Sequence, residues 1–379
     1  MARAKEIAGL DCEAPAADGV QIVLRTRLED MCALRPQALD WSDIEGVHSM
    51  RVASRRLRSA LRDFQPLFRR RELRPLGKRL RIIAATLGDV RDKDVAIMAF
   101  EELAAQAPIE IAEGIRSMLA EHNLARERAR VALAAAITED TLIQLQADFA
   151  LGLERGVRRT QAGNGKTDKG KANKEVLAET RFREAGRRVI QMRWQELQDH
   201  SASLYHPFAT DPLHELRITA KRLRYAIELF ATCFGEDRLV PFAKEVAELQ
   251  TSLGELHDCD VWIEWFGKCL DELPQPGESG VKAAGDSTAA VLNISDPHRP
   301  AVIWLIDHFV KARTKHYRAA LAGWHDWETN DFAARLTATL DRPSIRNATF
   351  PVKLPGNNST PEGPRRVRAA KSVHQNEKG

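Results

Sequence analysis

The sequence is poor in aromatic residues, which fill 6% of its 379 positions. It also lacks any convincing run of alternating β-branched residues, so a sheet-based core is not signalled. Alanine, leucine, arginine and glutamate dominate instead, a mix that favours helix. Cysteine is sparse. Cys12, Cys32, Cys233, Cys259 and Cys269 are odd in number and irregularly spaced, and no C-x-x-C pair occurs. Neither a disulfide framework nor a zinc site is legible, and reduced, scattered thiols are expected, as in a cytoplasmic protein. No stretch approaches the ~20 consecutive apolar residues that span a bilayer. The start of the chain lacks the apolar run of a signal peptide, and no membrane partner is expected. The phosphate-cradling G-x-x-x-x-G-K-[ST] and the nucleophile motif G-x-S-x-G are both missing. Net charge is small, at +4. The segment 343–379 holds seven Lys/Arg against two Asp/Glu, which leaves the rest near neutral. A polyanionic partner must therefore be argued from local clustering.

What is present is a repeat. His48–Val95 matches His214–Val261 at a constant offset of 166 without a gap, and 16 of the 48 aligned positions are identical. They include His48, Arg51, Arg56, Leu57, Arg58, Phe64, Lys78, Leu87, Gly88, Asp92 and Asp94, and Arg55 meets Lys221 with its charge kept. A match of this length marks a duplicated unit. A weaker echo, Arg130–Leu133 with Arg318–Leu321, comes at an offset of 188. The extra residues fall in 274–300, a Pro/Gly/Ser-rich insertion read as a loop.

Between these breaks the period is helical. Val47, Met50, Leu57, Leu61, Phe64 and Phe68 recur at intervals of three, four or seven, the spacing of one buried helix face. Further helices are expected near 20–35, 72–88, 92–105, 108–136, 140–158, 176–203, 211–233, 237–255, 259–272, 300–322 and 331–340. The expected organisation is all-α: a first helical half over 15–160, a flexible linker over 161–175, a second half over 176–342, and a basic, disordered tail over 343–379.

On the first repeated helix His48, Arg51, Arg55, Arg58 and Arg62 are spaced three and four apart, which puts them on one face, with Arg56 beside it. The second copy carries His214, Arg217, Lys221 and Arg224, with Arg222 beside it, but the next position is Glu228. A row of like charges is unfavourable by itself. A solvated, snorkelling face is the plain explanation. Against it, the segment from His48 to Arg81 holds twelve Lys/Arg and only Asp63 and Glu72 as acids, and the stripe occurs twice. Such a column suits an extended polyanion, because each guanidinium offers planar forks to phosphate oxygens. Lys78 and Lys244 hold matching places on the following helix. Arg74 and Arg81 share the Lys78 face but meet Val240 and Ala247 in the second copy. The expected site is asymmetric, more basic on the first half.

His48 and His214 each open a stripe. Neither has further ligands at metal spacing, so no metal and no cofactor are expected. Donation to phosphate is the favoured role, with a phosphohistidine acceptor as an alternative. The second motif, Leu87-Gly-Asp-Val-Arg-Asp-Lys-Asp-Val95, returns as Leu253-Gly-Glu-Leu-His-Asp-Cys-Asp-Val261. Gly88 and Gly254 suit helix C-caps, and Asp92 and Asp258 suit the start of a next helix. Asp94 and Asp260 follow. The four acids read as caps and as partners that orient the stripe arginines; a D-x-D pair holding Mg²⁺ is the competing reading.

These residues resemble the CHAD family, the conserved-histidine α-helical domain. The resemblance rests on His48-x-x-Arg51-x-x-x-Arg55-Arg56-Leu57-Arg58 with Leu87-Gly88-x-x-Arg91-Asp92-x-Asp94-Val95, and on the matching second copy, over roughly residues 15–340. It implies two helical bundles related by a pseudo-twofold axis, with basic faces lining a central channel. It implies binding of inorganic polyphosphate, association with polyphosphate granules and no catalytic role. The implied contacts are His48, Arg51, Arg55, Arg58 and Lys78, with His214, Arg217, Lys221, Arg224 and Lys244. The E-x-E-x-K motif of the CYTH domain often fused to this family does not occur. Nucleic acid carries the same charge logic, but the stripes lack stacking rings apart from nearby Tyr225, so it is not the expected main partner. A metal-dependent phosphate enzyme is the remaining alternative.

Overall fold

The spacing of apolar residues builds helix throughout. The computed structural model describes residues 7–156, 180–272 and 299–342. The expected linker at 161–175, the tail from 343 and all but the last two positions of the 274–300 insertion lie outside the described residues. The helices are α1 (Ala16–Ala33), α2 (Arg35–Ala38), α3 (Ile44–Asp63), α4 (Arg70–Gln106), α5 (Ile109–Ala136), α6 (Glu139–Gly156), α7 (Phe182–His200), α8 (Thr210–Phe234), α9 (Glu236–Glu272), α10 (Arg299–Thr329) and α11 (Phe332–Asp341). Short 3-10 turns cover Gln65–Leu67 and Ser201–Tyr205. Among the described residues the only β-type pairing is an isolated bridge between Pro15 and Arg181. None of these helices is long and apolar enough to cross a membrane.

Two expected breaks are absent. The segments read as 72–88 and 92–105 are one helix of 37 residues, α4, and those read as 237–255 and 259–272 are another of 37 residues, α9. Gly88 and Gly254 therefore do not cap, and Asp92 and Asp258 do not start a helix. A mid-helix glycine costs about 1 kcal/mol against alanine. Burying one large apolar side chain offsets more than that, and Leu87, Val90 and Phe100 in α4, like Leu253, Leu256 and Phe266 in α9, are all buried.

Within the first half α1 packs on α3, and α4 packs on α3, α5 and α6; within the second, α8 packs on α7 and α9, and α9 on α10. Three helix pairs join the halves most extensively, α3 with α8, α5 with α10 and α1 with α7. The main apolar core follows the first of these. At its centre Phe64, Phe182 and Phe230 meet with ring centroids 5.0–6.0 Å apart. A second core at the far ends of the long helices gathers Phe100, Ile115, Phe266, Leu305 and Phe309.

Polar links reinforce the junction. Buried Asp63 at the end of α3 accepts from Arg193 Nε of α7 at 2.8 Å. The segment ahead of α1 lies across α7, with Phe182 N donating to Ala14 O and Arg183 N to Cys12 O. Cys12 and Cys233, at the end of α8, form a disulfide across 221 residues of sequence. The expectation of uniformly reduced thiols fails here, and with it the argument for compartment drawn from them. The partners are far apart in sequence, and only the fold brings them together.

Candidate functional site: facing basic helices

The stripes meet where α3 packs on α8. Arg51 lies within electrostatic reach of Arg55 and Arg91 and, across the junction, of Arg217. Lys221 likewise feels Arg217 and Arg55, with Asp258 and Arg51 beyond. Burial, then Arg217 and Arg55, push the Lys221 ammonium down to about 7. Arg51 Nη2 donates to Asp92 Oδ1 at 3.2 Å, and its counterpart Arg217 donates to Asp258 Oδ1 at 3.5 Å. Each of these two acids thus accepts from one stripe arginine. The glycines of the second motif sit beneath: a Cβ at Gly88 would lie 3.8 Å from Arg51 Nε, and one at Gly254 would lie 3.7 Å from Arg217 Nε. Glycine leaves the helix surface low where each guanidinium crosses it.

Further along α3 the one acid, Asp63, is buried against Arg193. Arg58, Arg62, Arg74, Lys78 and Arg81 line a cleft of about 430 Å³ between α3 and α4, together with Leu61, Gln65, Phe68, Leu73 and Gly77. No carboxylate is among them. Arg58 feels Arg81 across the cleft and Arg55 on its own helix. Arg55, Arg58, Arg62, Lys78, Arg81 and Lys221 have no carboxylate oxygen within 4.0 Å among the described residues. The cations thus form one chain of neighbours, from Arg81 through Arg58, Arg55 and Arg51 to Arg217 and Lys221.

Other expected residues are placed differently. Arg224 is buried and donates to Glu228 Oε1 at 2.7 Å and to Gln250 Oε1 at 3.1 Å. Arg56 lies 3.5 Å from Glu228 Oε2, and Arg222 lies 3.7 Å from Glu196 Oε2. Lys244 stands exposed on α9. Buried Asp94 sits 3.9 Å from Arg126 and 4.0 Å from Arg130 of α5, and Asp260 accepts from Arg313 of α10. These two acids bind their long helix to the next one and orient no stripe arginine.

The histidines do not meet each other. His48 is half-buried; burial and then Arg91 lower its pKa, and its Nδ1 has no partner. His214 Nδ1 lies 3.1 Å from His257 Nδ1. Burial, Arg217, His214 and Lys221 push His257 down to about 4, so this contact joins neutral rings, one donating to the other. Arg91 and His257 hold one repeat position, Arg91 near His48 and His257 against His214. The sequence aligned them but gave no sign that either touches the site. No group of three or more potential metal ligands occurs among the described residues.

The sequence matches the CHAD domain family over residues 22–267. The chain belongs to that family. CHAD domains are non-catalytic binding modules. The crystal structure of the CHAD domain from the plant Ricinus communis superposes with a TM-score of 0.61 at 21% identity, covering 86% of this chain and 96% of that one. PptA from Streptomyces chartreusis gives 0.54 at 16% identity, covering 82% and 100%. At these identities the likeness is one of fold. Two uncharacterized proteins of Mycobacterium tuberculosis are each 27% identical over 247 residues, 64% of this CHAD chain. The chain spans 44% of their length.

Proposed function

We propose that this CHAD protein binds inorganic polyphosphate, held in the α3–α4 cleft and along the facing stripes of α3 and α8. The observation that carries the reading is the carboxylate-free cleft of five cations, continuous with Arg55, Arg51, Arg217 and Lys221. Cations in a row bring a large repulsion with them, and a chain of phosphates relieves it along its whole length. A compact anion would satisfy only part of the column. The pseudo-twofold channel is part of the proposal. Its support is that residues approach their own repeat counterparts: Phe64 and Phe230 at 5.9 Å between ring centroids, Arg51 beside Arg217, and Asp258 beside Asp92. Contacts between equivalents arise beside an axis that relates two copies. Association with polyphosphate granules would follow from the same site.

The test is calorimetric titration with polyphosphates of graded length. Affinity should rise with length until the groove is filled, then level off per chain. Double-stranded DNA of equal charge should compete poorly. Equal or tighter binding of DNA would point to nucleic acid as the partner, and Mg²⁺-dependent release of phosphate would point to an enzyme.

A further inference from the structure

The residues that line the first-half cleft have repeat counterparts on α8 and α9, and the sequence alters them. At the repeat offset Arg58, Arg62, Arg74, Lys78 and Arg81 become Arg224, Glu228, Val240, Lys244 and Ala247. Two cations and a carboxylate stand where there were five cations. Glu228 is also placed to act on what remains. Its Oε1 takes the Nε of Arg224 at 2.7 Å, and its Oε2 lies 3.5 Å from Arg56 Nη2 of the opposite half. Arg224, 7% exposed, turns away from solvent toward Glu228 and Gln250.

A purely structural ion pair between α8 and α3 is the plain explanation. The other half weighs against it. At the matching place Arg62 has no carboxylate within 4.0 Å among the described residues and lies in reach of Arg222. On that side the ion pair that ties the halves, Asp63 with Arg193, lies outside the cleft, and Arg62 is left lining it. What Glu228 adds is a carboxylate where a phosphate would otherwise sit, between the cation of its own stripe and one from the facing helix.

We infer that Glu228 is a specificity-determining residue: an internal counter-anion that closes the second-half cleft and confines polyphosphate to the first-half cleft and the α3–α8 groove. The inference rests on the function proposed above. A bound chain is then gripped at one end and released at the other, and one protein engages one chain end rather than clamping a chain symmetrically.

The experiment compares the full-length protein with Glu228→Arg, Glu228→Gln and Glu228→Gln/Arg224→Ala, using long-chain sodium polyphosphate over a range of salt. Each phosphate neutralised on a single strand adds roughly 0.7 to the slope of log affinity against log salt. Glu228→Arg should steepen the slope by about one or more and raise the saturating chain length. Glu228→Gln should give a smaller gain, which Arg224→Ala in the same chain removes. Thermal melts establish that each variant is folded, and Glu228→Gln keeps the shape of the side chain should Glu228→Arg not fold. An unchanged slope and saturating length in a folded variant overturns the inference while leaving the wild-type site intact. Failure of the wild type to bind polyphosphate sinks the site itself, and this inference with it.

Discussion

Burial and two neighbouring arginines leave Lys221 titrating at about 7, against 10.5 for an unhindered lysine. Between those values the unfolded chain holds a proton that the folded chain has shed. Stability therefore rises with pH across that window, and the full penalty is present below about 7. Polyphosphate acts in the opposite sense, since it favours the charged ammonium. The other groups facing Lys221 are Arg217, Arg55, Arg51 and Asp258. The nearby imidazoles of His214 and His257 are lowered and stay neutral above pH 7. Binding at pH 8 should thus take up close to one proton per site, and affinity should fall as pH rises from 7 to 9. Calorimetry at pH 8 in buffers of different ionisation enthalpy reads this directly. The wild type should show a buffer-dependent heat and Lys221→Met should not; a buffer-independent heat in the wild type contradicts the assignment. At this scale the placing of several candidate residues on one helix face was legible. Three-and-four spacing put Arg51, Arg55 and Arg58 on one face, because helical periodicity is a property of a single segment. Arg224 was misplaced because its partners, Glu228 and Gln250, include one from the next helix, and no spacing rule reports that.

Among the elements, the long helices set the geometry of the site. Each α4-type helix carries its cleft-lining cations or their replacements near one end, the Gly-and-Asp motif midway, and its share of the second core at the other end. Reading Gly88 and Gly254 as helix ends was a local inference. Burial on both sides of the glycine decided otherwise, and burial is a tertiary quantity. The segment ahead of α1 was illegible for the same reason, because its role comes from crossing α7 and joining Cys233 at the end of α8. Closing a loop of 221 residues is worth an upper value of about 5 kcal/mol in the chain-entropy view. Reduction, or Cys12→Ser, should therefore lower the melting temperature markedly while leaving polyphosphate affinity at 25 °C within about twofold, since neither sulfur lies in the basic groove. Equal melting of oxidised and reduced protein would show that the bridge does not support the fold.

The molecule is an all-α body in which two segments that match at an offset of 166 residues differ in charge. α4 and α9 have the same length at the repeat offset, and the stripe on α3 lies beside the stripe on α8, as the proposed pseudo-twofold arrangement requires. The basic cleft on the first half is lined by Arg74 and Arg81, where the matching positions hold Val240 and Ala247. The gapless match announced the repeat, the helical class and the excess of cations on the first half. The facing of the stripes needed coordinates, because nothing in one helix fixes which neighbour it packs on. The central claim is that this facing column is where polyphosphate sits. Its most direct test is the affinity of Arg51→Glu/Arg55→Glu/Arg58→Glu for long-chain polyphosphate, with helicity checked by circular dichroism. Loss of at least three charge-assisted contacts, each worth roughly 1.5–3 kcal/mol, should weaken binding a thousandfold or more and flatten the salt slope. A variant of undiminished helicity that binds long chains like the wild type would place the ligand elsewhere on the protein.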